Sequence, residues 1–159
     1  MADKKYSATQ IYDYLFYQVI SAREKFSDED IALGYCRGVL FCADKENFSK
    51  DLAIELVLKT FGALSYRDGK LAEQELNVYR KLLELSSSYT SADFFNDYYR
   101  YNNNATRQSC FATFKKFKQN ATRTAYIQFC IALAVCDRNY SDGEIEFCRR
   151  LCRLFDVHE

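Results

Sequence analysis

Four carboxylates recur at one spacing in this chain, Asp68 and Glu75 in one stretch and Asp137 and Glu144 in another. Side chains of this kind offer the hard oxygen ligands that calcium and magnesium take. Laid side by side without a gap, Ala63–Leu85 and Ala132–Leu154 also pair Ala63 with Ala132, Leu64 with Leu133, Leu82 with Leu151 and Leu85 with Leu154. A repeat that keeps apolar positions follows from packing alone. One that also keeps two carboxylates asks for a chemical reason.

The glutamates have a structural reason of their own. Tyr140-Ser141-Asp142-Gly143-Glu144-Ile145 is a capping-box sequence, in which the Ser141 hydroxyl accepts from the Glu144 N–H and the Glu144 carboxylate accepts from the Ser141 N–H. In the first copy Leu71, Glu75 and Leu76 keep the pattern, while Ala72 lacks the hydroxyl. A third, weaker version lies at Phe26-Ser27-Asp28-Glu29-Asp30-Ile31, with Arg23 in the place of Asp68 and Asp137. The aspartates are harder to explain, because each falls where a preceding helix ends and a carboxylate there costs about 0.3–1 kcal/mol. Either each bonds the backbone N–H groups of its own turn, or the two turns converge and Asp68, Glu75, Asp137 and Glu144 surround one cation.

Other chemistry is poorly served. Counting from Asp137 as an EF-hand loop, the sixth position is Asp142 instead of glycine and the twelfth is Cys148 instead of glutamate. Phosphate-binding loops and the metalloprotease and hydrolase signatures are missing from the sequence, and its single histidine, His158, is next to last. No enzyme is therefore expected; a metal-dependent hydrolase built on the paired carboxylates is the third choice. Seven cysteines without a C-x-x-C pair form neither a zinc site nor a disulfide framework. Cys148 and Cys152 share a helix face with the pattern of Phe147 and Leu151, so the thiols read as small core fillers.

The elements that would position the acids read as helices throughout. Proline and tryptophan are absent, glycine is scarce at 5, and Phe and Tyr are abundant at 13 each, which favours an all-α bundle around a bulky core. At 159 residues the chain suits one domain, residues 1–159, that buries roughly 70% of its unfolded surface. Apolar spacing predicts a first helix over 8–22 with Ile11, Leu15, Phe16 and Val19 inward. A second, capped at Ser27, runs to about Ala43 with Ile31, Tyr35, Leu40 and Phe41, and Gly34 and Gly38 either admit a close neighbour or merely weaken it. Ser49 caps a third that reaches Asp68-Gly69, and Glu73–Leu85 makes a fourth. Asn120 is expected to cap the long helix leading to Asp137, and the last helix runs from Asp142 to about Phe155.

Twenty-two basic residues balance 22 acidic ones, so no overall field draws the protein to nucleic acid or to anionic lipid. Phe111, Phe114 and Phe117 interleave with Lys115, Lys116 and Lys118 as in strand-stacking proteins, yet the spacing reads better as core rings beside solvated lysines. No nucleic-acid partner is expected. Without an apolar leader or a membrane-length apolar run, a cytoplasmic, non-spanning protein is expected, and the sequons at Asn47, Asn104, Asn120 and Asn139 read as chance and helix-cap chemistry.

The apolar helix followed by D-G-K-L-A-E-Q-E-L at Asp68–Leu76 and by D-R-N-Y-S-D-G-E-I at Asp137–Ile145, each leading into an amphipathic helix, resembles the tellurite-resistance TerB-like family. That family includes the N-terminal region of a membrane-anchored DnaJ-type co-chaperone. The likeness spans roughly 52–157. It implies a compact helical fold of about seven or eight helices with two pseudo-repeated helix–acidic turn–helix hairpins, at about 50–86 and 121–157. It also implies a divalent-cation site at the acids of both repeats and a role in stress responses beside protein partners at the inner membrane. The chain departs from the pattern in having Asp137-Arg138 where Asp-Gly is usual, and Arg67 and Arg138 bring positive charge to both turns. The residues thus lead to a TerB-like sensor or adaptor that binds a divalent cation, calcium or magnesium sooner than zinc, through Asp68, Glu75, Asp137 and Glu144. The alternative is a metal-free helical module that docks a protein through its aromatic surface.

Overall fold

A computed structural model describes residues 7–65, 77, 80–81, 104–136 and 142–154. Among these the regular structure is helical, with no strand. The named elements are α1 (Ala8–Ser21), a 3-10 turn (Ala22–Glu24), α2 (Asp28–Lys45), α3 (Lys50–Ser65), α4 (Asn104–Phe114), α5 (Asn120–Val135) and α6 (Asp142–Leu154). Residues 77, 80 and 81 are helical as well. The all-α expectation holds among the described residues; the first repeat's acidic turn lies outside them.

The centre of the fold is α5, which is apolar on every side: Ala125, Tyr126, Ile127 and the run Phe129–Val135 are all buried. A helix without a polar face has to be surrounded. Helices α1, α2, α3 and α6 pack against it, α2 most extensively, while α4 bridges α3 and α6. The core is bulky, as the composition predicts: Phe61, Phe114, Phe117, Tyr126 and Phe129 are among its largest fully buried side chains. Phe114 and Phe117 meet edge to face with centroids 6.3 Å apart.

Helix starts follow the local chemistry. Ser7 Oγ accepts from the Gln10 N–H at 3.1 Å and Gln10 Oε1 accepts from the Ser7 N–H at 2.9 Å, a complete capping box for α1. Ser27 Oγ accepts from the Asp30 N–H at 3.2 Å at the start of α2, and Ser49 Oγ from the Leu52 N–H at 3.4 Å at the start of α3. The α2 end is a Schellman turn: the Phe48 N–H reaches the Ala43 carbonyl at 2.9 Å and the Asn47 N–H reaches Asp44 at 3.0 Å. Asn47 takes the left-handed conformation this needs, with φ 59°. Phe48 then turns inward onto Phe117, centroids 4.9 Å apart.

Three expectations need correction. Asn120 does not cap α5. The cap position is Gln119, which makes no side-chain cap bond, and Glu46 crosses from the end of α2 instead: its Oε1 accepts from the Lys118 N–H at 2.9 Å, and its Oε2 from the Gln119 N–H at 3.1 Å and the Thr122 hydroxyl at 2.8 Å. Phe41 is not inward but 61% exposed, with the Lys45 ammonium 4.8 Å above its ring. The α2 residues that face the core are Ile31, Ala32, Leu33, Cys36, Val39 and Ala43, so the buried stripe is rotated away from Phe41, with Tyr35 and Leu40 at its edges. Finally, α2 runs to Lys45, one half-turn past Ala43. The weakening account suits Gly34, where an added Cβ would meet nothing within 4 Å, while at Gly38 it would meet Ala125 Cβ at an ordinary 3.9 Å.

Candidate functional site

Of the four carboxylates, Asp68, Glu75 and Asp137 lie outside the described residues. Glu144 is the third residue of α6 and only 7% exposed, and α6 starts at Asp142 as the capping-box sequence predicts. Its carboxylate therefore sits against the protein and not in bulk water, where burial is tolerated only with compensating polar or ionic contacts. One turn further on, burial pushes the Cys148 thiol well above its ordinary value, with Cys152 and the Glu144 charge adding to the rise. Among the described residues no three His, Cys, Asp or Glu side chains are gathered as a metal ion would need.

The third version of the repeat is fully in view. Arg23 Nε donates to Asp28 Oδ1 at 2.8 Å, and Nη2 donates both to Asp28 Oδ2 at 3.3 Å and to the Val135 carbonyl at 2.8 Å. Val135 is the last residue of α5, two positions before Asp137. The cation thus stands where the helix dipole is negative. The other acids of the α2 first turn face Lys81, whose Nζ lies 3.6 Å from Glu29 and 3.9 Å from Asp30, and Asn77 Nδ2 donates to Glu29 at 3.3 Å. Nothing in the local sequence pairs Arg23 with Val135, because the contact spans 112 positions.

A second candidate is apolar. Ala22, Phe26, Ile31, Gly34 and Tyr35, with Asp30 at the rim, line an open groove of about 300 Å³. Phe26 is 59% exposed there, and the missing side chain at Gly34 leaves the floor open. Burial raises the pKa of the Tyr35 phenol. Tyr14, Tyr17, Phe41 and Leu52 are further large apolar side chains exposed on α1, α2 and α3. By contrast Phe111, Phe114 and Phe117 are buried while Lys115, Lys116 and Lys118 are exposed, so these rings offer no surface on which bases could stack.

The thiols behave as core atoms. Cys36, Cys110, Cys130, Cys136, Cys148 and Cys152 are buried and Cys42 is half-buried. Desolvation pushes the Cys36 and Cys152 thiols up to about 12, where they are neutral and unreactive. Sequence reasoning missed the polar knot beside them. The Thr60 hydroxyl donates to the Leu56 carbonyl at 2.6 Å, and its oxygen lies 2.7 Å from the Tyr126 hydroxyl and 3.7 Å from Cys110 Sγ. A Tyr within an apolar run is the one sequence signal for it, since a buried phenol needs a partner.

No family model matches the chain, and no curated protein or solved structure matches it either. Among the described residues no helix is long and apolar enough to cross a membrane.

Proposed function

We propose that the chain is a TerB-like, stress-associated helical adaptor that binds a divalent cation, calcium or magnesium sooner than zinc, through Asp68, Glu75, Asp137 and Glu144. The observation that supports this reading most is the burial of Glu144 on the first turn of α6. Its carboxylate stands at the repeat's own spacing and is of the oxygen-donor type that calcium and magnesium take. Isothermal titration of the chelator-treated protein with calcium and with magnesium tests it: saturable heat that Glu144→Gln weakens is expected, and no heat with either ion would contradict it.

A second reading, a metal-free interaction module, is favoured by a separate observation. The Phe26 groove and the exposed Tyr14, Tyr17, Phe41 and Leu52 give the surface apolar anchors of the kind protein interfaces use. Retention of partner binding by protein stripped of metal would mark this reading as the right one. The two combine if the cation stiffens a scaffold that docks a partner elsewhere.

A further inference from the structure

The outward ridge of α6 is charged: Glu146, Arg149, Arg150 and Arg153 are all exposed along it. Arg153 Nη2 donates to Glu146, which pairs those two. Arg149 and Arg150 are held by rings instead. The Arg149 guanidinium lies over Tyr12 of α1, 5.3 Å from the ring centroid, and the Arg150 guanidinium lies over Phe111 of α4 at 4.5 Å. Both rings are buried and stacked in turn, Tyr12 on Phe16 at 5.8 Å and Phe111 on Phe147 at 4.8 Å. Arg150 Nη2 also donates to Gln108 Oε1 at 3.4 Å, but among the described residues no carboxylate pairs with either arginine. The α4 side has none to offer, since residues 104–136 contain no Asp or Glu.

We propose that Arg149 and Arg150 form a docking site for an acidic peptide segment of a partner protein, each guanidinium taking a side-chain carboxylate. A ring beneath a guanidinium fixes its plane, so less side-chain freedom is lost when a ligand arrives. The free N–H edge of such a group matches the two oxygens of a carboxylate. A nucleic-acid strand fits this ridge less well. Its unbroken line of phosphates would meet Glu146, and the two rings lie beneath the guanidinium groups, where bases cannot stack on them. A membrane fits less well too, because the large exposed apolar side chains, Tyr14, Tyr17, Phe26, Phe41 and Leu52, stand on other parts of the chain and none on α6. A peptide can set its acids at the two arginines and an uncharged residue beside Glu146. The proposal needs no cation at Asp68, Glu75, Asp137 and Glu144, and chelator is present throughout its test.

Fluorescence anisotropy of a labelled oligoglutamate peptide, titrated with the protein at low ionic strength in chelator, tests it. Saturable binding that weakens as salt is added is expected. Arg149→Ala and Arg150→Ala should each weaken it by about threefold to tenfold, and Arg150→Lys, which keeps the charge and loses the planar fork, should fall between Arg150→Ala and the parent. Arg37→Ala removes the same charge from the exposed side of α2 and should leave the affinity unchanged. Glu146→Gln removes the acid of the ridge and releases Arg153, so it should tighten binding, a gain that damage to the fold does not mimic. Absence of saturable binding, equal losses from Arg37→Ala and Arg149→Ala, or no gain from Glu146→Gln would each overturn the proposal. So would an oligothymidylate or phosphatidylserine vesicles bound more tightly than the peptide, or self-association of the parent that Arg149→Ala and Arg150→Ala abolish.

Discussion

Glu46, the residue that closes α2, holds the Thr122 hydroxyl at 2.8 Å in the first turn of α5. The same carboxylate satisfies the Lys118 and Gln119 N–H groups, so one side chain caps a helix whose own cap residue has no suitable bond. Its charge also favours the positive end of the α5 dipole. Glu46→Ala is expected to cost about 1–2 kcal/mol, the range of a lost N-cap, read as a lower urea midpoint with an unchanged m-value. Glu46→Gln keeps an acceptor but loses the charge and should fall between the two.

Asn47 tests the turn that aims Glu46. Its φ of 59° lies where glycine is at ease and β-branched residues are strained. Asn47→Gly should be neutral or slightly stabilising, whereas Asn47→Val should lose about 1–2 kcal/mol and lower the protection of α5 first-turn amides in hydrogen exchange. Equal stability of the glycine and valine variants would count against the assignment.

How far these contacts were legible in the sequence depended on their range. Ser27, Ser49 and the Asp142 start of α6 were readable because a cap involves residues three apart. Leu15 and Val19 were readable from helical spacing. Phe41 was misplaced because α2 has small core residues, Ala32, Cys36 and Ala43, which weigh little beside a ring when an apolar stripe is drawn. Glu46 and Arg23 act on partners 72 or more positions away, and no local pattern marks such a pair. Of the candidate cation site only Glu144 could be placed, at the predicted helix position and buried.

The polar knot at Tyr126 predicts non-additivity. Tyr126→Phe removes one partner from a buried hydroxyl, and Thr60→Val removes the other, so each alone should cost about 1–3 kcal/mol. Once one partner is gone the second change loses less. The double variant should therefore be less destabilised than the two single losses combined, by about 0.5–1 kcal/mol or more, measured by chemical denaturation. Strict additivity would mean that the 2.7 Å contact carries no coupling.

The thiols predict how stability falls in alkali. Burial holds Cys36 and Cys152 at about 12 against an ordinary value of 9.0. Between those values the folded state keeps protons that the unfolded state releases. Stability is thus full below about pH 9 and declines as pH rises toward the folded values, by about 1.4 kcal/mol per pH unit for each such thiol. Cys36→Ala should make the decline shallower by about one thiol's share. In neutral solution a thiol reagent should label few of the seven cysteines until the protein is unfolded; rapid labelling of most of them in the native protein would contradict their burial.

Melting with and without divalent ions tests the cation site most directly. Carboxylates that converge repel one another without metal, and an ion that binds only the folded protein stabilises it by about 2.7 kcal/mol at a hundredfold excess over Kd. The Tm of the parent should rise with calcium or magnesium and fall after chelation. Asp68→Asn and Asp137→Asn should each leave the metal-free Tm equal or higher and weaken the response. Glu75→Gln and Glu144→Gln should also weaken it, while the amide still accepts a backbone N–H at the helix start. If the parent and all four variants melt alike with and without either ion across a wide range of concentration, the four acids bind no cation, and helix capping is the reason for the glutamates.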